Sequence, residues 1–286
     1  MSSIQRRKGP SLVGTFGFLQ PFADGLKLVL KELVIPSTSN AYVFVLAPVF
    51  TFFLTLVSWL FLPWSYSFSY IDLPFSILIL LAISSLGVHG IVFSGWASNS
   101  KYSFLGSIRS ASQMLSYEIC ISTIYLNSVL LAGSFSLTAI VYAQQHVWFI
   151  FPLFPMWILF LITSLAETNR APFDLPEAEA ELVAGYNVEY SAISFALFFL
   201  AEYGNMILLS IISSIIFFGG WNAFFFSSQI VSFTIKILLN MFIFLWVRAS
   251  FPRYRYDQLL KIGWTIIIPT SFMLITLYSS FLISFF

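Results

Sequence analysis

Long apolar runs, each closed by a short polar stretch, dominate the chain. A helix that spans a bilayer needs about 20 apolar residues at ~1.5 Å each. Seven runs reach that length: Ala41–Leu62, Pro74–Gly95, Ser107–Ala132, Val147–Ala166, Tyr190–Phe218, Gln229–Val247 and Trp264–Phe286. Their interiors are so uniformly apolar that no periodicity separates one helix face from another. The short alternating segments of a transmembrane barrel are absent. The pattern predicts an all-α fold, a polytopic transmembrane helical bundle, as a single membrane domain over residues 1–286.

Gly14–Val34 has a different pattern. Gln20, Asp24, Lys27 and Lys31 recur on one helical stripe, and Leu19, Phe22, Ala23, Leu26, Val29, Leu30 and Leu33 cover the remainder. That contrast predicts an amphipathic helix lying in the membrane interface, with Pro21 tolerated in its first turn. It serves either as a simple anchor or as the wall of a cavity mouth. Met1–Gly9 is basic, but no apolar core of a signal peptide follows it, so no cleavable leader is expected.

Composition sharpens the picture. Of 286 residues, 59% are hydrophobic and only 9% charged, against about 25% charged in soluble domains. That excludes a soluble globular enzyme, a disordered chain and a nucleic-acid binder. The net charge of +1 gives no general attraction to polyanions. A single cysteine, Cys120, excludes an intrachain disulfide and a cysteine-ligated cluster held by this chain alone. His89 and His146 are too few and too far apart in sequence for a haem or metal site. The 34 phenylalanines fit either lipid-facing bulk or an AT-rich coding genome.

The charges are segregated. With seven spans, the N-terminus shares one side with the 167–189 and 248–263 loops, and that side takes every Lys and Arg except Lys236. The opposite loops, around 63–73, 133–146 and 219–228, carry only Asp72 as a formal charge. The positive-inside rule places the N-terminus on the cytoplasm-like side, which in a mitochondrion is the matrix.

Acids inside a bilayer are costly and need a reason. Glu118 falls roughly 17 Å into the third span and Glu202 ~18 Å into the fifth, counted at ~1.5 Å per residue. Glu167 marks the end of the fourth span and Glu189 the start of the fifth, with Asp174, Glu177, Glu179 and Glu181 between them against a single Arg170. The acids form a series descending from surface to mid-bilayer. Such a series suits proton relay, because carboxyls sharing a low-dielectric site cannot all stay ionised. It equally suits docking of a partner's basic face, with the deep acids paired to cations. Lys236, at a depth comparable to Glu202, is the expected cation for that acid. Pro152 and Pro155 interrupt the fourth span, and Gly204 and Asn205 follow Glu202, as a hydrated path would allow. The segment from Arg248 to Gln258 is basic and aromatic, which fits an interfacial anchor or a docking surface. No Walker loop, dinucleotide fingerprint or nucleophile elbow is present.

Three stretches carry a family resemblance: Gln5-Arg-Arg-Lys-Gly-Pro with Leu19-Gln-Pro-Phe-Ala-Asp-Gly-Leu-Lys-Leu; the run from Glu167-Thr-Asn-Arg-Ala-Pro-Phe-Asp-Leu-Pro-Glu to Gly185-Tyr-Asn-Val-Glu-Tyr; and Phe251-Pro-Arg-Tyr-Arg-Tyr-Asp-Gln-Leu. Ser94-Gly-Trp-Ala-Ser-Asn-Ser and Ser116-Tyr-Glu support them. The chain resembles, over essentially its whole length, the mitochondrially encoded heel subunit of the membrane arm of respiratory complex I, NADH:ubiquinone oxidoreductase. The resemblance implies a place in the mitochondrial inner membrane beside the quinone-site and terminal iron–sulfur subunits and the adjacent small membrane subunits. It implies ubiquinone as a substrate shared with those neighbours, and no FMN, iron–sulfur cluster, metal or catalytic residue on this chain. Arg7, Asp24, Lys27, Phe199, Arg248 and Arg253 would surround the quinone tunnel. Glu118, Glu167, Asp174, Glu177, Glu179, Glu181 and Glu202, with Glu189 and Lys236 added from the residue reading, would form the proton path. Members usually carry a further hydrophobic helix before the Gln-Arg-Arg-Lys-Gly-Pro motif, so a separate small polypeptide is expected to supply it. Two other readings stay open: the ion-conducting heel subunit of a related membrane-bound hydrogenase, and a purely structural anchor.

Overall fold

The computed structural model describes residues 2, 4–66, 68–174, 185–222 and 228–285. Helices make up nearly all regular structure there; among the described residues a lone antiparallel bridge, Pro63 to Ser69, stands outside them. We number the helices α1 (Gln20–Leu30), α2 (Ala41–Trp59), α3 (Ser76–Ala97), α4 (Lys101–Ala132), α5 (Leu137–Ala143), α6 (Phe154–Glu167), α7 (Ala192–Ile216), α8 (Gln229–Ser250), α9 (Tyr256–Ile262) and α10 (Ile268–Phe285). Among the described residues, six helical stretches are long and apolar enough to cross a membrane, the last of them running from Tyr256 to Ser284.

The fourth forecast span is the exception. Val147–Leu153 forms turns, and helix begins only at Phe154, leaving α6 at 14 residues. The cause is local. Pro155 fits a first helical turn, where its missing N–H costs nothing, but not a helix interior. The N-terminal amphipathic segment is also shorter than forecast. Phe16 and Gly17 take positive φ, so α1 starts at Gln20, with Pro21 in its first turn. Its polar stripe is real: Gln20 Nε2 donates to Asp24 Oδ1 at 3.1 Å, one turn along. Conversely, α4 starts six residues earlier than its apolar run, at Lys101, with Ser100 as its N-cap. It ends where Gly133, at φ 70°, donates its N–H to Val129 O at 2.7 Å, the left-handed cap that glycine takes at little steric cost.

Helix α4 is the axis of the bundle, touching α3, α5, α6 and α10, while α7 packs against α2 and α8 and carries α1 along its flank. Small residues allow the close approaches, as in other membrane bundles. Gly90 of α3 faces Thr51 of α2, and Gly95 faces Ser107 of α4, with no room for a methyl group at either place. Aromatic side chains fill the remainder. Phe44 stacks on Tyr190 with centroids 4.1 Å apart, and Phe198 meets Tyr190 edge-on at 5.0 Å.

The basic-aromatic segment before α9 folds back onto this frame. Tyr254 N donates to Pro172 O at 3.0 Å, and the Tyr254 ring stacks on Phe173. Tyr117 OH, buried in α4, donates to Leu259 O at 3.0 Å. Gln113 Nε2 ties α4 to the end of α6 by donating to Ala166 O and Phe173 O, at 2.8 and 2.9 Å.

Candidate functional site

Where α2, α3 and α7 diverge below the end of α6, they enclose a cavity of about 90 Å³. At ~10–15 Å³ of accessible space per water, several waters fit. Its lining is mostly apolar, with Thr51, Ser84, Glu167, Asn169, Glu202 and Asn205 among the polar side chains that face it. A polar pocket inside an apolar bundle is what a membrane protein builds around groups that must stay hydrated.

Glu202 is its best-held acid. Tyr186 OH donates to Oε1 at 2.9 Å, and Arg170 Nη2 lies 3.4 Å from Oε2. The side chain of Arg170 is only 4% exposed, and its guanidinium sits 4.2 Å from the Tyr203 ring centroid. Charge, hydrogen bond and ring face together hold the ion pair, which buried ions require. The position follows from the chain path. Asn169 takes positive φ and turns the chain after α6, so Arg170 points back into the bundle. The turn at 185–187 then brings Tyr186 against the same acid.

Glu167 reaches the cavity from the end of α6, and its Oε2, shielded from solvent, has no hydrogen-bond partner among the described residues. Glu118, midway along α4, accepts from Ser84 Oγ at 3.3 Å. It is close enough to Glu167 for the two carboxyls to interact electrostatically. The cavity thus gathers Glu167 and Glu202 from α6 and α7, and Glu118 of α4 adjoins it through Ser84, which lines it. Asp174 is buried near the loop surface, paired with Arg253 at 3.6 Å. Glu189 is half-buried just before α7. Glu177, Glu179 and Glu181 lie outside the described residues.

Lys236 does not join them, which corrects the expectation of a Glu202–Lys236 pair. Its Nζ donates to Phe218 O, Gly220 O and Asn222 O at 2.7, 2.9 and 2.7 Å, beyond the far end of α7. Helix position sets the height of a Cα, but a lysine stem reaches several ångströms further. It extends towards the carbonyl-rich helix end, where a cation is stabilised.

The residues expected around a quinone tunnel are placed more loosely. Asp24 and Lys27 sit exposed on α1, which flanks α7; Phe199 on α7 packs against Phe195 at 4.6 Å. Arg248 occupies the last turn of α8, and Arg7 Nε donates to Gln5 Oε1 at 2.9 Å in the N-terminal segment. Arg253 is drawn to Asp174, so one member of each expected set touches the other. Sequence reading missed Arg170, Tyr186 and Ser84 as site residues. Arg170 alone carried a signal, as the one cation in an acidic loop.

The comparisons with known proteins decide the family. Residues 1–279 match the family model described as NADH dehydrogenase. The chain belongs to this family. It is 57% identical to NADH-ubiquinone oxidoreductase chain 1 of Chondrus crispus, across the whole chain and 89% of that relative. It is 56% identical to an NADH-quinone oxidoreductase subunit from Paramagnetospirillum magneticum, across the whole chain and 85% of that relative. With the Arabidopsis thaliana NADH-ubiquinone oxidoreductase chain 1 the identity is 53%, again over the whole chain and 90% of the relative.

Proposed function

We propose that the chain is a membrane-arm subunit of a proton-pumping NADH:ubiquinone oxidoreductase, respiratory complex I, and that it couples quinone reduction to proton movement. Its relatives are chains of NADH–ubiquinone and NADH–quinone oxidoreductases, which supports the assignment to that enzyme. The observation that carries the coupling role is the polar cavity. Glu202 is clamped by Arg170 and Tyr186 on its wall, Glu167 lines it with an oxygen that no described residue hydrogen-bonds, and Glu118 adjoins through Ser84. Carboxyls around a hydrated space can exchange protons through the waters it holds. The loop acids Asp174, Glu177, Glu179 and Glu181, with Glu189, extend that path to the surface.

In this reading ubiquinone enters beside α1 and α7, with Arg7, Asp24, Lys27, Phe199, Arg248 and Arg253 around the tunnel. The quinone headgroup and the terminal iron–sulfur cluster belong to neighbouring subunits. The protein lies in the mitochondrial inner membrane with its N-terminus on the matrix side, as the one-sided basic loops require. Reduction of quinone next door changes the local charge, and the clamped acid passes that change along the carboxyl series.

The test is Glu202→Gln in the native complex, with assembly followed on a native gel. The expected result is an assembled complex whose NADH:quinone turnover no longer pumps protons. Full turnover with full pumping would overturn the coupling role and leave a structural anchor.

A further inference from the structure

Around Lys236, most carbonyls at and beyond the far end of α7 have a donor. Ile215 O accepts from Gln144 Nε2 and Phe217 O from Ile150 N, both at 2.9 Å. Gly219 O accepts from Asn222 N at 3.0 Å, and Trp221 O from Ser232 Oγ at 3.3 Å. The carbonyls of Phe218, Gly220 and Asn222 take the ammonium, whose fourth side rests over the Trp148 ring at 4.4 Å. Gly219 and Gly220 make this geometry possible. Both have positive φ, and a β-carbon on Gly219 would stand 3.0 Å from the Trp148 ring. Lys236 is 7% exposed, and among the described residues no carboxylate pairs with it. Carbonyl dipoles and a ring face bind the ammonium without supplying a counter-charge.

That charge occupies a particular level. The cavity reaches up α7 as far as Ile212, six residues before Phe218, so roughly 9 Å separates its end from the cage at ~1.5 Å per residue. Between them lie Ser213, Ser214, Ile215, Ile216 and Phe217, all fully buried, with the two serine hydroxyls spent on Asn240 Oδ1 and Ile211 O. A proton leaving the cavity for the far aqueous face must approach this fixed cation through a low-dielectric layer, where repulsion is only weakly screened.

We propose that Lys236 and its carbonyl cage form an electrostatic seal that closes the acidic cavity to the far aqueous face, so that its protons exchange from one side only. This rests on reading the cavity as proton-exchanging. Lys236 acts here as a positioning residue for charge and handles no proton itself.

The test is passive proton leak through the purified complex in liposomes, with the quinone site inhibited and a potential imposed by potassium and valinomycin. Lys236→Met should raise the leak about tenfold, the effect of lowering a barrier by ~1.4 kcal/mol. Lys236→Arg should keep the seal. Lys236→Gln keeps an N–H donor for the cage without the charge, and should leak as Met does; it also serves if the Met variant fails to assemble. Adding Glu202→Gln should abolish the leak of Lys236→Met. A wild-type leak in an assembled Met or Gln variant would overturn the proposal, as would a leak indifferent to Glu202→Gln. The pumping of Glu202→Gln alone tests the coupling reading separately, so the two failures are distinguishable.

Discussion

Arg170 and Glu202 meet at 3.4 Å inside the bundle, one just past the end of α6 and the other in the third turn of α7. The pair ties the turn after α6 to the middle of α7. Removing one partner of such a pair leaves an uncompensated charge in a low-dielectric site. We expect Arg170→Met to destabilise the chain by about 3–5 kcal/mol and to deplete the assembled complex on a native gel. Arg170→Lys should recover assembly only in part, because an ammonium cannot reproduce a planar guanidinium lying over Tyr203.

Tyr186 supplies the second hold on Glu202, through its hydroxyl at 2.9 Å. Tyr186→Phe keeps the ring packed edge-on against Phe198 and deletes only the donor. A hydrogen bond to a charged group contributes about 1.5–3 kcal/mol, so the complex should still assemble with reduced thermal stability. Coupled pumping should fall less than in Glu202→Gln, as measured by dye quenching in proteoliposomes.

Glu118 is too deep in α4 to dock a soluble partner, and its described hydrogen bond is with Ser84 on α3. Glu118→Gln preserves size and hydrogen bonding but removes the titratable proton. Assembly should be unchanged and pumping lost, whereas Ser84→Ala should affect both only slightly. A fully pumping Glu118→Gln complex would remove this acid from the path.

Gly106 of α4 lies against the backbone of Gly185, where an added β-carbon would stand 2.7 Å from main-chain atoms. Backbone cannot rotate aside as a side chain can. Gly106→Ala should therefore displace the turn carrying Tyr186 and cost about 1–3 kcal/mol. The check is the melting temperature of the complex; Gly25→Ala, at a position with open space around it, is the control.

Asp174 and Arg253 join the acidic and basic loops at 3.6 Å, with side chains 1% and 52% exposed. A double-mutant cycle with Asp174→Asn and Arg253→Gln should show coupling of about 0.5–3 kcal/mol, since residues sharing one ion pair are not additive. The asymmetry of exposure sets the order of harm. Arg253→Gln alone takes one cationic partner from a buried carboxylate, and should be worse than the double variant.

The sequence alone determined what one dimension of physics fixes. Bilayer thickness divided by helical rise turns apolar runs into spans, and the boundaries of α2, α3, α7 and α8 follow the runs within a few residues. The polar stripe of α1 and Pro21 in its first turn were legible for the same reason, because each is a feature within one turn. The shortness of α6 and the early start of α4 were less so: loops that fold back inside the protein need not be polar, and a helix that projects from the bilayer need not be apolar. The positions of Glu118, Glu167 and Glu202 marked the acids out, but not their partners. Counting residues gives the height of a side chain along a span and nothing about its azimuth, and uniformly apolar helices carry no contrast from which azimuth can be read. Only the tertiary structure decided that Glu202 takes Arg170 and Tyr186, while Lys236 extends to the carbonyls beyond the end of α7. Helix rotation and the turns at Asn169 and Gly185 set those partners, and close packing against small residues fixes both.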